Sequence, residues 1–112
     1  MSIIVIMNKK LPYDSEAALK QFGANLAVAR KRRGWRQEDV KERTGLTRLT
    51  IRKIEAGEPS VAMGNYMLVL SILGGADQIR SLMNPAEDLL GGSLTNSLPD
   101  RVRKVKNVDN DF

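Results

Sequence analysis

The sequence contains neither cysteine nor histidine, and this absence excludes several kinds of chemistry. Without cysteine the chain can form no disulfides, iron–sulfur clusters or thiolate zinc sites. Without histidine it lacks the usual general base and the commonest metal ligand. Its acidic residues are dispersed, and no glycine-rich phosphate loop of the Walker type is present. We therefore predict a protein that is not an enzyme, with no catalytic residue, no metal site and no cofactor.

Long apolar runs are missing as well. The run from Ile3 to Met7 is apolar, but it is only five residues long. A membrane helix needs roughly 20 apolar residues. A signal peptide needs a longer apolar region, a basic start and a cleavage site of small residues. The sequence therefore predicts a cytoplasmic protein that does not associate with a membrane.

Acidic residues are scarce in the middle of the chain, where basic residues are concentrated. The formal net charge of the 112 residues is +5. Between Arg30 and Lys53 there are ten basic and three acidic residues, a surplus of seven that exceeds the charge of the whole chain. Such a concentration indicates a polyanionic partner, nucleic acid above all. The alternative is that the charge serves only solubility.

The segment from Gln37 to Gly57 has the pattern of two short helices joined by a tight turn. Gly45 suits the left-handed position that closes a helix, and Thr47 can cap the next one. On that second helix, Ile51 and Ile54 lie three residues apart and share one face. A basic face is left pointing outward. The pattern predicts a helix-turn-helix whose second helix, at about 48–56, could enter the DNA major groove.

Three further helices are predicted around this segment. The first begins after Asp14 or Ser15, either of which can act as its N-cap, and continues to about Arg33. The other two cover about 62–73 and 76–83. Trp35, the only tryptophan, is either a plug between helices or a stacking platform for bases. We expect an all-α fold, a compact bundle of about five helices, with the helix-turn-helix domain spanning residues 14–90.

The two ends of the chain do not follow this helical pattern. Residues 1–13 form a predicted arm whose consecutive β-branched residues favour a strand over a helix. This β-like arm is either flexible or pairs with the same segment of a second subunit. After Gly91 the helical periodicity is lost, so residues 91–112 are predicted to form a flexible tail that a partner would order.

The stretch from about Leu19 to Leu73 resembles the Cro/CI-type helix-turn-helix family, often called the XRE family. The spacing of the turns at Gly34, Gly45 and Gly57 carries much of the resemblance. The other matching residues are Phe22, Gly23, Leu26, Arg30, Gln37, Val40, Ile51, Ile54, Glu55 and Leu70–Leu73. The resemblance implies a helical bundle that binds palindromic double-stranded DNA as a homodimer. Arg36 departs from the family, which usually has a Ser or Thr cap there, so the following helix should lack a side-chain acceptor.

A second resemblance lies further along the chain. Residues Gly75–Arg80, Asn84–Asp88 and Leu98–Arg103 look like HipB-type antitoxins, which accompany HipA-type kinase toxins and repress their own operons. This resemblance implies a repressor with a HipA-like kinase toxin as a partner. Two alternatives stay open. One is a protein-interaction module that neutralises a partner protein, with DNA binding secondary, and the other is a phage-type repressor without a toxin.

The first resemblance also implies binding roles by position. Residues at the start of the second helix of the motif, and one turn later, would approach base edges: Thr47, Arg48, Leu49, Arg52 and Lys53. Arg48 or Lys53 could read guanine through its O6 and N7 atoms, and Leu49 could contact a thymine methyl. The alternative for the basic residues is contact with phosphates or solvent only. Gln37, at the start of the preceding helix, would hold a phosphate. The remaining phosphate candidates are Arg30, Arg33, Arg36 and Arg43.

Overall fold

The computed structural model describes residues 10–97, and this part of the chain forms six helices and no strand. The helices are α1 (Tyr13–Arg32), α2 (Gln37–Thr44), α3 (Arg48–Glu55), α4 (Met63–Ile72), α5 (Ala76–Arg80) and α6 (Leu89–Ser97). The all-α prediction is confirmed for these residues. Most of the predicted β-like arm, and the tail beyond residue 97, lie outside the described residues. The chain divides into one unit that ends at Ala76 and a second that begins at Asp77.

Helix α1 begins two or three residues earlier than the sequence predicts. Pro12 occupies the N-cap position, and no side chain caps the helix there. Asp14 and Ser15, the predicted caps, lie inside the first turn, where the carboxylate of Asp14 interacts favourably with the helix dipole. The helix ends at Arg32, and Gly34 follows with a positive φ of 70°. The predicted stop at Gly34 is therefore confirmed, while the predicted cap is wrong.

The core of the first unit takes one apolar face from each of α1 to α4. Ile51 and Ile54 of α3 are fully buried, and Val40 of α2 is 1% exposed, as their spacing predicts. They pack with buried residues of α1 and α4, namely Leu26, Tyr66, Val69, Leu70 and Leu73. Helix α3 packs mainly against α1 and α2. The helix-turn-helix is thus fixed to the rest of the unit through its inner face.

An aromatic pair supports this core from the side. The rings of Phe22 and Tyr66 are stacked with their centroids 5.8 Å apart. The Tyr66 hydroxyl donates a hydrogen bond to the backbone carbonyl of Glu58 over 2.8 Å. Burial raises the pKa of Tyr66, with a smaller contribution from the nearby negative charge of Glu58. The contact holds the loop between α3 and α4 against α1.

The second unit differs most from the sequence-based prediction. The predicted helix at 76–83 ends at Arg80, and turns follow it. Helix α6 occupies the start of the predicted flexible tail, so the predicted boundary at Gly91 falls inside a helix and is wrong. The cause is Asp88, whose Oδ1 accepts the backbone N–H of Gly91 over 2.9 Å and so caps the helix. Within residues 10–97, no helix combines the length and the apolar character that crossing a membrane requires.

Candidate nucleic-acid interface

The turn between α2 and α3 is built by short polar contacts. Gly45 adopts a left-handed conformation with φ 78°, and its N–H donates to the carbonyl of Lys41 over 2.8 Å. The Thr44 hydroxyl donates to the Val40 carbonyl and accepts the N–H of Leu46. Thr47 Oγ1 accepts the N–H of Thr50 over 3.1 Å, which caps α3. The predicted glycine turn and threonine cap are both confirmed.

Helix α3 turns a basic face to solvent. Its inner face is fixed by Ile51 and Ile54, so the side chains between them point outward. All five residues predicted to read bases are exposed on this side: Thr47, Arg48, Leu49, Arg52 and Lys53. Among the described residues, none of the three basic side chains has an ion-pair partner. The structure thus brings these five residues to one exposed side, where the Thr47 hydroxyl is engaged with Thr50 and the other four side chains face solvent.

Leu49 stands out on this face because it is a large apolar side chain that is 54% exposed. It lies between Arg48 and Thr50, at the N-terminal end of α3. No packing within the described residues accounts for an exposed leucine here. An apolar side chain among basic ones at the tip of such a helix can contact the methyl group of a thymine.

Arg30 is not available as a phosphate contact, and its prediction is corrected. The residue is only 9% exposed. Its Nε donates to Glu55 Oε2 over 2.6 Å, its Nη2 to Glu55 Oε1 over 3.1 Å, and its Nη1 to the Trp35 carbonyl over 2.8 Å. The guanidinium therefore joins the end of α1 to the end of α3, and its role is structural.

Gln37 shares the same carboxylate. Its Nε2 donates to Glu55 Oε1 over 3.0 Å, and the side chain is half-buried. Glu55 thus accepts hydrogen bonds from both α1 and α2, and it fixes the start of α2 relative to α3. Sequence reasoning placed Glu55 in the family pattern but assigned it no role. The one signal in the sequence is that an acidic residue ends an otherwise basic helix, and that signal does not name Arg30 as its partner.

The N-terminus of α2 carries its own carboxylate. Arg36 has no acceptor in its side chain, as predicted, and Asp39 instead reaches back to accept the Arg36 N–H over 2.7 Å. That hydrogen bond is the main cause that lowers the pKa of Asp39, and the neighbouring charges of Arg36 and Arg43 contribute to it. The Arg36 side chain is 80% exposed and lies 3.5 Å from the same carboxylate. A phosphate bound here would have to lie close to a negative charge.

The other two phosphate candidates are engaged in contacts within the first unit. Arg33 donates to the carbonyls of Ala29 and Leu73 over 2.8 and 2.9 Å, which ties α1 to the end of α4. The guanidinium of Arg43 stacks over the Trp35 ring, with its carbon 4.1 Å from the ring centroid. Trp35 is half-buried, and Arg43 covers one of its faces. Stacking of a base on that face would require Arg43 to move.

A family model described as a helix-turn-helix domain matches residues 21–78, slightly more than half of the chain. The chain belongs to this helix-turn-helix family. The match contains the whole α2–α3 motif and every residue predicted to contact DNA. Family membership supports a DNA-binding regulator. Neither the curated proteins nor the solved structures give a significant match to the chain.

Proposed function

We propose that this helix-turn-helix protein is a sequence-specific transcriptional repressor that binds a palindromic operator as a homodimer. The observation that carries the proposal is the outer face of α3. There, Arg48, Arg52 and Lys53 are exposed next to the exposed Leu49, and no ion pair within residues 10–97 involves them. A helix held by its inner face, with free donors and an apolar contact on its outer face, is what reading the major groove requires.

In the proposed complex, the exposed face of α3 enters the major groove. Arg48 and Lys53 donate to the O6 and N7 acceptors of guanine, and Leu49 contacts a thymine methyl. Thr47 and Arg52 lie on the same exposed surface and contact neighbouring base edges or the sugar–phosphate backbone. The burial of Ile51 and Ile54 fixes the direction in which the helix presents these groups, so little ordering is needed on binding.

Phosphate contacts are proposed at the start of α2. The exposed side chain of Arg36 lies there, and the Gln37 side chain is held close by through Glu55. Asp39 weakens this site because its carboxylate already accepts the Arg36 N–H. Arg33 and Arg43 remain flanking candidates. Each would either keep its present contact while it approaches a phosphate or exchange that contact for the phosphate.

We further propose that the protein is the antitoxin of a toxin–antitoxin operon, which it autoregulates. The support is the sequence resemblance of residues 75–80, 84–88 and 98–103 to HipB-type antitoxins. The proposed partner is a HipA-like kinase toxin. Two functions compete with this one: a protein-interaction module with secondary DNA binding, and a phage-type repressor without a toxin. The first does not depend on the α3 face, and the second does not involve a toxin.

Selection from a random DNA pool, followed by footprinting on the protein's own promoter, tests the repressor function. We expect a protected palindrome with half-sites about one helical turn, roughly 34–36 Å, apart. The affinity should fall steeply with salt because bound phosphates release counterions. A doubly substituted Arg48→Ala, Lys53→Ala protein is the matched control, since both side chains are exposed. Salt-sensitive binding to every DNA alike, without a selected sequence, would contradict a specific repressor.

The antitoxin function needs a separate experiment. If a kinase-like gene neighbours this one, its purified product should lose kinase activity and co-purify when the full-length protein is added. The Arg48→Ala, Lys53→Ala protein should still inhibit the kinase, because the resemblance to the antitoxins lies in residues outside α3. Operator binding without any effect on the neighbouring gene product would favour the phage-type repressor. Inhibition without a selected operator would favour the interaction module.

A further inference from the structure

The carboxylate of Asp39 makes two contacts at the start of α2. Its Oδ2 accepts the backbone N–H of Arg36 over 2.7 Å, and the same oxygen lies 3.5 Å from Nε of the Arg36 side chain. The first contact supplies an acceptor at the end of a helix, where backbone N–H groups lack partners within the helix. The second is an ion pair between residues three apart. One acidic group therefore both caps the helix and holds the cation nearest to it.

This ion pair lies where a phosphate contact is proposed. Gln37, the residue after Arg36, is held at the start of α2 by its hydrogen bond to Glu55. The Arg36 side chain is 80% exposed and the Asp39 side chain 26% exposed, so the acid is the less hydrated partner of the two. A phosphate oxygen that approached Arg36 would meet a guanidinium already paired with a carboxylate. The two anions would compete for the same cation.

The Asp39 carboxylate is charged whenever the protein is folded near neutral pH. Its pKa is lowered mainly by the hydrogen bond from the Arg36 N–H, and the charges of Arg36 and Arg43 lower it further. Arg43 follows Asp39 by four residues, so the two side chains are neighbours on the surface of α2. The negative charge thus lies between two of the arginines proposed to approach phosphate, and it is present whenever DNA is bound.

We propose that Asp39 withholds Arg36 from the DNA backbone, so that the protein binds DNA less tightly than its basic residues allow while α2 gains stability. The inference rests on the proposed function, because it concerns the phosphate contact at the start of α2. A phosphate must either take the guanidinium from Asp39 or share it with a second negative charge, and both cost binding free energy. Since every DNA sequence carries phosphates, the penalty applies to an operator and to random DNA alike.

Anisotropy titrations of the full-length Asp39→Asn protein with the selected operator and with a random duplex test this. The substitution removes the charge but keeps an oxygen that can accept the Arg36 N–H. The affinity for both duplexes should rise about fivefold at low salt, the factor expected for one unit charge close by in water-like surroundings. The gain should shrink as salt screens the charge. The thermal midpoint should fall, because an amide interacts less favourably with the helix dipole. A variant that merely folded poorly would lose affinity as well.

Arg36→Gln, made with and without Asp39→Asn, shows whether Arg36 carries the effect. It should weaken binding about twofold in the unsubstituted protein, where Asp39 holds the guanidinium, and about tenfold in the Asp39→Asn protein. The matched control is Asp77→Asn. Asp77 forms an ion pair of the same spacing with Arg80 over 3.7 Å on α5, and its substitution makes the same change in net charge. It should alter the affinity by no more than about twofold.

Three results would overturn the proposal. They are an unchanged affinity of Asp39→Asn, a gain confined to the operator, and a gain that persists in combination with Arg36→Gln. The random duplex separates this inference from the proposed function. If no sequence is preferred but the gain on random DNA depends on Arg36, the inference stands and the repressor function fails. If a palindrome is selected and Asp39→Asn gives no gain on it, the repressor function stands and the inference fails.

Discussion

Gly23 of α1 and Gly57, just after α3, lie so close to the backbone that faces them that neither residue has room for a side chain. A Cβ on Gly23 would lie 2.7 Å from the Gly57 nitrogen and 2.5 Å from the Ile54 carbonyl oxygen. A Cβ on Gly57 would lie 2.5 Å from the Lys20 Cα, and Gly57 also has a positive φ of 71°. Since all of these atoms belong to the backbone, neither side can yield by a side-chain rotation. The contact sets the distance between α1 and the end of α3.

Gly23→Ala should therefore destabilise the protein by about 3 kcal/mol, because the added methyl group forces two backbones apart. The free energy of unfolding from urea denaturation measures this change. Gly64→Ala is the control. Gly64 lies in α4, and a Cβ there would meet nothing within 4 Å. That substitution should stabilise the protein by about 0.5–1 kcal/mol through the better helix propensity of alanine. Equal effects of the two substitutions would mean that α1 and α3 do not approach as closely as described.

The buried pair of Arg30 and Glu55 leads to a second prediction. Both side chains are 10% exposed, so removing one partner leaves the other charge buried without compensation. Arg30→Met should cost about 3–5 kcal/mol of stability. The double variant Arg30→Met, Glu55→Met should recover part of that loss, since no unpaired charge remains. Arg32→Met, an exposed neighbour on α1, should change stability by no more than about 0.5 kcal/mol. A small effect of Arg30→Met alone would show that the pair is solvated.

The helix-turn-helix could be predicted from the sequence because its signals are local. Gly45, Thr47 and the spacing of Ile51 and Ile54 each act within one or two helical turns, and all of them indicate the same geometry. The role of Arg30 could not be predicted in this way. Its partner Glu55 is 25 residues away, and a count of charges treats every arginine as exposed. The prediction of Arg30 as a phosphate contact failed because tertiary packing decides which charges are buried.

The error at the end of the second unit has a different cause. The sequence predicts a flexible tail from residue 91 onward, where Gly91 and Gly92 are poor helix formers. The competing signal was Asp88, which precedes two leucines and caps the helix that they begin. A cap and an apolar start outweighed two glycines here. The five residues proposed to read bases could be placed on one exposed face from the sequence, but their contacts with DNA remain a prediction.

The carboxylate of Asp39 predicts how stability changes in acid. Its pKa is lowered mainly by the hydrogen bond from the Arg36 N–H, so the ionised form stabilises the folded state. This stabilisation is present above the ordinary pKa of 3.8 and is lost as the pH falls through the lower folded value. Thermal unfolding between about pH 5 and pH 2 should therefore show a loss of stability that Asp39→Asn reduces. Asp77→Asn controls for the loss of a carboxylate that accepts no backbone hydrogen bond. An unchanged acid transition in Asp39→Asn would show that the cap is not formed in solution.

Arg48 and Gln37 should differ in what they contribute to DNA binding. Arg48 is exposed on the outer face of α3 and has no partner that fixes it within the described residues, so its donors are free for a guanine. Arg48→Ala should cost about 1–3 kcal/mol on the operator and relax the preference at one base position. Gln37 lies at the start of α2, bonded to Glu55, so Gln37→Ala should weaken specific and random DNA by similar factors. Competition with single-base variants of the selected operator distinguishes the two roles. If Arg48→Ala weakens every variant equally, Arg48 contacts only phosphate, and the reading of bases must rest on Leu49 and Lys53.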